Sequence, residues 1–272
     1  LIHQPFSLEQ IAIDFQPQKN QLRPFVFVHG NTQNDTCGTG IKSFFARKGH
    51  SVFSYDLPGH GDSSLESENY TFEDLITLNI ALLQEYRLNN PILCGHSLGG
   101  MIQAATIARL QLTSASLILC GSYDANPIVA AKSQSQLEES RAIDAALTQY
   151  IEEGYRLFKR QKKYDYFANR QNDDEIVGII NRRYTQPKAN QWNLSTMDHF
   201  SVRKTLSELD IPILVLHGKN EDVIPASLIE TMLPAYRNIR IGWYANAAHY
   251  AFYQMPDLTD KYLAQYYTFL CE

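Results

Sequence analysis

The pentapeptide GHSLG, Gly95 to Gly99, sets a serine between two glycines where an apolar run ends and a helical pattern begins. A strand that turns straight into a helix brings the positions two before and two after the central residue too close together to carry side chains. Glycine at both lets Ser97 stand out above the edge of a sheet. The helix after the turn aims its N-terminal N–H groups and the positive end of its dipole at the same point, where they can receive a developing oxyanion, and the N–H of Leu98 is the first of them. A serine hydroxyl is a poor nucleophile at neutral pH. It needs a base to take its proton and a carboxylate to fix the tautomer of that base. With those partners the chemistry is acyl transfer through a covalent acyl-enzyme, with water as the final acceptor.

The partners must come from elsewhere in the chain. HGKNEDVIP, residues 217 to 225, comes after the apolar run IPILVLHG and puts Glu221 and Asp222 side by side where a strand would deliver a carboxylate. Residue type alone does not choose between them, and Asp124, after the run SASLILCG, is a third candidate. The histidines are His249, in ANAAHYAFYQMPD, and its rivals His29, His60, His96, His199 and His217. Of the rivals, His29 and His217 read as loop-holding residues. Asp56 and Asp62, in YDLPGHGDSS, read as turn residues that cap exposed N–H groups.

The elements needed to position these groups are visible as alternating patterns. QIAIDF (10–15), PFVFVHG (24–30), HSVFSYD (50–56), PILCG (91–95), SASLILCG (114–121), IPILVLHG (211–218) and NIRIGWY (238–244) read as strands. Helical spacing appears in TGIKSFFARKG, in TFEDLITLNIALLQEYR with a capping box at Thr71 and Asp74, in LGGMIQAATIARL, and in PDLTDKYLAQYYTFL at the end. Near-continuous apolar strands separated by helices predict an α/β fold, with a mostly parallel sheet flanked by helices on both faces. The alternation stops between residues 124 and 210, where the chain becomes helical, charged and rich in tyrosine. That length is too great for a structureless loop, so the spacing predicts a helical cap inserted into a core formed by 1–123 and 211–272.

Five segments in order, HGN, YDLPGHGDSS, GHSLGG, HG followed by acids, and NAAH, resemble the α/β-hydrolase superfamily across all of the chain except the insertion. The resemblance implies that Ser97 is the nucleophile and that His249, between the last strand and the final helix, is general base and acid. His96 holds a place that is commonly histidine in the family. Counting the family's pattern from His217 to Pro225 puts the triad acid at Glu221, where most members carry aspartate, and leaves Asp222 one residue on. The oxyanion hole implied by the match is Leu98 with Asn31, and Thr32 is a close competitor. An asparagine after HG resembles the halide-binding residue of haloalkane dehalogenases. Those enzymes use an aspartate nucleophile, so Ser97 argues against dehalogenation and against epoxide hydrolysis, and the HGGG form of many lipases is absent. The activity implied by the resemblance is that of a cofactor-free serine esterase or lactonase for small to medium acyl substrates. HGNTQNDTCG and YDLPGHGDSS further resemble quorum-quenching hydrolases of acyl-homoserine lactones. Non-hydrolytic receptors, and lyases or cofactor-free oxygenases, are built on the same fold and form the alternative. Tyr150, Tyr155, Phe158, Tyr164, Tyr166, Phe167 and Trp192 would either line an acyl channel or form the cap's own core, and Arg182, Arg183 or Tyr184 would orient a lactone or amide.

Composition narrows the partners. The 272 residues carry 24 basic and 29 acidic side chains, a net charge of -5, which gives no broad footprint for nucleic acid or anionic membrane. A small molecule is the expected partner, and oligomeric state has no signature here. Cys37, Cys94, Cys120 and Cys271 are too scattered for a zinc site and read as free thiols of a reducing compartment. No apolar stretch reaches the roughly 18 residues of a membrane span. The chain begins at Leu1 rather than methionine, which is compatible with loss of a short leader, so the cytoplasm is the default location.

Overall fold

The computed structural model describes residues 6–66, 69–127, 189, 197, 199–221 and 223–272. Among these, β1 (Ile13–Gln16), β2 (Phe25–Val28), β3 (Val52–Tyr55), β4 (Ile92–His96), β5 (Ser116–Cys120), β6 (Ile213–Gly218) and β7 (Ile239–Tyr244) form one sheet in the order β1-β3-β2-β4-β5-β6-β7. β1 runs antiparallel to β3, and the other pairings are parallel. The described helices are α1 (Thr39–Arg47), α2 (Phe72–Glu85), α3 (Leu98–Leu110), α4 (Arg203–Leu209), α5 (Ala226–Met232), α6 (Ala251–Gln254), α7 (Pro256–Gln265) and α8 (Tyr267–Cys271).

The side-chain period of two explains why the central strands are apolar throughout. Val26, Val28, Leu93, Leu117, Leu119 and Val215 enter a core with Leu75 and Leu82 of α2 and Ile102 and Ile107 of α3. Their neighbours Phe25, Phe27, Ile92, Cys94, Ile118 and Leu216 enter a second core on the other face, with Ile41 and Phe45 of α1, Leu263 of α7 and Leu270 of α8. A parallel sheet buried on both faces needs apolar residues at every position. α3 is itself buried from Leu98 to Ala108, so its polar residues need partners inside. Asn79 of α2 donates to Gln103 Oε1 (3.0 Å) and Thr106 Oγ1 (2.8 Å), and accepts from Tyr55 OH (3.1 Å). The helix that carries the serine is thereby tied to its neighbour and to the sheet.

Two elements differ from their sequence patterns. The first strand begins at Ile13 rather than Gln10, because Leu8–Gln10 form a 3-10 turn in which Ser7 and Gln10 cap each other. The last helix is broken at Tyr266 into α7 and α8, although no glycine or proline marks the break.

Of the segment read as a cap, 128–188, 190–196 and 198 lie outside the described residues, and with them Tyr150, Tyr155, Phe158, Tyr164, Tyr166, Phe167, Arg182, Arg183, Tyr184 and Trp192. Its two ends meet. Ala125 bridges Ser201, Asn126 N–H donates to Phe200 O (2.8 Å), and Val202 N–H donates to Asp124 O (2.9 Å). Residues 124–126 and 200–202 thus lie side by side, and Leu206 of α4 packs into the main core with Ala189 and Met197. No helix among the described residues is long and apolar enough to cross a membrane.

Candidate active site

The turn between β4 and α3 is as tight as its glycines require. A Cβ on Gly95 would lie 2.3 Å from Gly100 N, and one on Gly99 would lie 2.1 Å from the Val28 carbonyl oxygen. Both obstacles are backbone and cannot swing aside. Gly99→Ala is therefore expected to cost about 3 kcal/mol or more of stability, read from the midpoint of urea unfolding. Ser97 itself has φ 49 and ψ -118, a region that non-glycine residues enter only under constraint, typically at a cost of about 1–3 kcal/mol. Its N–H donates to Cys120 O (3.0 Å), and its carbonyl accepts from Ser122 Oγ (2.6 Å). These bonds hold the strained residue from both sides. Leu98 is the first residue of α3, so its N–H has no intrahelical acceptor.

Beyond β6 and β7, two loops bring Glu221 and His249 together. His249 Nδ1 donates to Glu221 Oε2 at 2.7 Å, with both side chains buried. Glu221 Oε1 accepts from Val223 N–H (2.7 Å) and Ile224 N–H (3.1 Å), so the carboxylate is engaged on both oxygens. Burial alone would raise the pKa of Glu221. The facing His249, with His217 and the Ile224 N–H, outweighs it and holds the carboxyl below its ordinary value. The pair sits beside the serine. His249 O lies 2.9 Å from Nε2 of His96, the residue that precedes Ser97, and the two imidazole centroids are 4.6 Å apart.

The loop after β2 is stitched to the loop after β3. His29 gives its Nδ1–H to Gly30 O (2.7 Å) and accepts Leu57 N–H at Nε2 (2.8 Å). The Asp56 carboxylate accepts Asp35 N–H (2.8 Å) and Asp62 N–H (2.9 Å). Asp56 is thus a loop clamp that spans both loops, while Asp62 takes part in it through its backbone. Asn31 Oδ1 lies 3.3 Å from His60 Nε2, and Thr32 adopts φ 61. Lys42 of α1 is buried with Asp35 (2.9 Å), Asp14 (3.2 Å) and Ser54 (2.9 Å), which fixes the far end of the loop.

The rival residues have other occupations. Asp124 is fully buried, takes Nε–H and an Nη–H of Arg203 at 2.8 and 2.9 Å, and accepts Tyr236 OH at 2.7 Å. It anchors α4 through Arg203 rather than meeting His249. His217 donates Nε2–H to Ile224 O (2.8 Å) and closes the loop that carries Glu221. Burial lowers the pKa of His29 to about 4 and that of His60 to about 3, and also lowers those of His96 and His217, so all four are held as neutral imidazoles. His199 lies in an exposed groove with Phe72 and Arg109. Asp222 lies outside the described residues. Sequence reasoning passed over Gln33 and Lys42. Lys42 reads as an ordinary solvated helix charge, and Gln33 as one polar residue in a polar loop.

Residues 25–260 match the alpha/beta hydrolase family, and the chain belongs to it. It is 20% identical to the AB hydrolase superfamily protein YisY of Bacillus subtilis, over 90% of this chain and 91% of that protein. It is 23% identical to a non-heme chloroperoxidase of Burkholderia pyrrocinia, over 80% of this chain and 81% of the other. Among solved structures, the esterase EaEST of Exiguobacterium antarcticum superposes with a TM-score of 0.78 at 18% identity, covering 95% of each chain. The shared fold is the α/β-hydrolase fold.

Proposed function

We propose that this member of the alpha/beta hydrolase family is a serine hydrolase that cleaves carboxylic esters or lactones of small to medium acyl chains. The observation that carries the reading is the strained Ser97 beside a buried His249–Glu221 pair closed at 2.7 Å. Ser97 Oγ attacks the acyl carbonyl while His249 Nε2 takes its proton, and Glu221 stabilises the imidazolium through Nδ1–H. The N–H groups of Leu98 and Asn31 receive the oxyanion. Collapse of the intermediate breaks the acyl–oxygen bond, and His249 returns the proton to the departing alkoxide. In a lactone that alkoxide stays tethered and the ring opens. Water then repeats the sequence on the acyl-enzyme and frees Ser97. The resemblance of the loops at residues 29–38 and 55–64 to quorum-quenching hydrolases supports acyl-homoserine lactones as a substrate class to test first.

A fluorophosphonate probe is expected to label the protein at Ser97 and to leave Ser97→Ala unlabelled, with a burst of p-nitrophenol from short esters. A panel of ester chain lengths beside acyl-homoserine lactones then ranks the substrates. Failure of the wild-type protein to label would sink the acyl-enzyme. Turnover surviving in Ser97→Ala would favour the lyase or oxygenase alternative, and ligand binding without turnover would favour a receptor.

A further inference from the structure

Gln33 is almost fully buried between the nucleophile turn and the loop of His249, and its carboxamide contacts three separate segments. Oε1 accepts Gly30 N–H (3.1 Å) in the loop after β2, and lies 2.9 Å from His96 Nδ1 and 3.0 Å from Cys37 Sγ. Nε2 donates to Tyr250 OH (2.9 Å), next to His249. The other nitrogen of His96 faces the His249 carbonyl at 2.9 Å, so a chain of polar contacts runs from Gly30 through Gln33 and His96 to the backbone of His249.

A neutral imidazole carries one N–H, so His96 donates to only one of the two carbonyl oxygens at a time. The turn of the Gln33 amide determines which. With Oε1 toward His96, the amide accepts Gly30 N–H and the imidazole Nδ1–H. Turned over, it donates to Nδ1 and leaves an Nε2–H for the His249 carbonyl. Only the first state gives the Gly30 N–H an acceptor, since the turned amide sets its NH2 group against that N–H; in it Gln33 binds the segment that precedes Asn31 to the segment that carries the base.

We propose that Gln33 is a positioning residue that couples the oxyanion loop to the loop of His249 through His96 and Tyr250. Its effect on rate rests on the acyl-enzyme reading above, whereas the coupling itself is a property of the fold. Small displacements of a base relative to an oxyanion site lower kcat steeply, by as much as about 100-fold for 1 Å.

The test uses Gln33→Leu, which keeps volume and removes the polar contacts of the carboxamide, and Tyr250→Phe, which removes the hydroxyl that accepts from Gln33 Nε2. Amide hydrogen exchange is expected to quicken at Gly30 in Gln33→Leu and, on the far side of the link, at Tyr253 and Gln254, whose N–H groups donate to Tyr250 O. Per fluorophosphonate-titrated site, kcat is expected to fall roughly tenfold or more in Gln33→Leu and several-fold in Tyr250→Phe, with KM within about twofold. In the double variant the loss is expected to be smaller than the product of the single losses, as for residues in one network. If Gln33→Leu does not fold, exchange at Gly30 in Tyr250→Phe carries the test, because the link transmits in both directions. Quickened exchange confined to one side of the link, or additive losses in kcat, would overturn the proposal. An unlabelled wild-type protein would remove the acyl-enzyme reading and leave the exchange measurement to decide the coupling.

Discussion

Glu221→Gln is expected to lower kcat by roughly 10³–10⁴ with little change in KM, whereas Asp222→Asn stays within a few-fold of wild type. Two backbone N–H groups hold Oε1 of Glu221, at 2.7 and 3.1 Å, and they need an acceptor. A glutamine therefore keeps its carbonyl there and turns its NH2 group toward His249. Facing a donor, Nδ1 must become the acceptor, which moves the imidazole proton to Nε2, where it blocks uptake of the serine proton. The amide also loses the negative charge that stabilises the imidazolium. Glu221→Asp shortens the side chain by one methylene and cannot hold both the N–H pair and Nδ1, so an intermediate loss is expected. Steady-state kinetics on one activated ester ranks the three variants. Collapse in Asp222→Asn with Glu221→Gln near wild type would show that the loop register counted from His217 to Pro225 is wrong.

The sequence was most legible where local sterics or a short spacing leaves few options. Gly95 and Gly99 announce the turn because no other residue fits against Gly100 N and Val28 O. The family's spacing from HG to proline, counted from His217 to Pro225, points to Glu221 rather than its neighbour, and Glu221 is the side chain that meets His249. The apolar strands were equally plain, since both faces of the sheet are covered. What stayed hidden depends on pairings between distant segments. Gln33 meets Tyr250 across 217 positions, and His96 meets the His249 carbonyl across 153, and neither end carries a local signature of the other. Lys42 is legible only once β1 has paired antiparallel with β3 and brought Asp14 over it. Asp124 shows the same limit from the other side, because its type and position after β5 fit a triad acid and only the placement of Arg203 and Tyr236 gives it another role. The shift of the first strand to Ile13 is a contest between two local signals, in which the reciprocal cap of Ser7 and Gln10 prevailed over alternation.

Acid is expected to unfold the protein well above the pH at which its carboxylates titrate. Four buried histidines, His29, His60, His96 and His217, have folded-state pKa values below the ordinary 6.5, with burial as the largest cause, and for His29 and His60 the values fall to about 4 and about 3. Above pH 6.5 neither the folded nor the unfolded chain protonates these rings, so they leave stability unchanged. Below it the unfolded chain takes up protons that the folded chain refuses, and stability falls with pH until the folded pKa is reached. Each such histidine costs about 1.4 kcal/mol per pH unit in that window, so His29 and His60 alone remove about 5 kcal/mol between pH 6.5 and 4.5. That is comparable to the whole stability of many domains, about 5–15 kcal/mol. Glu221 acts in the same direction lower down, since its depressed pKa contributes stability that is lost as the pH falls through the ordinary carboxylate range. Urea titrations from pH 8 to 4.5 are therefore expected to give a flat free energy down to about 7, then a slope of two or more protons per molecule. A free energy that stays level to pH 5 would mean that the folded protein accepts protons on these imidazoles as readily as the unfolded chain, and that the buried loop clamps around His29 and His60 admit water.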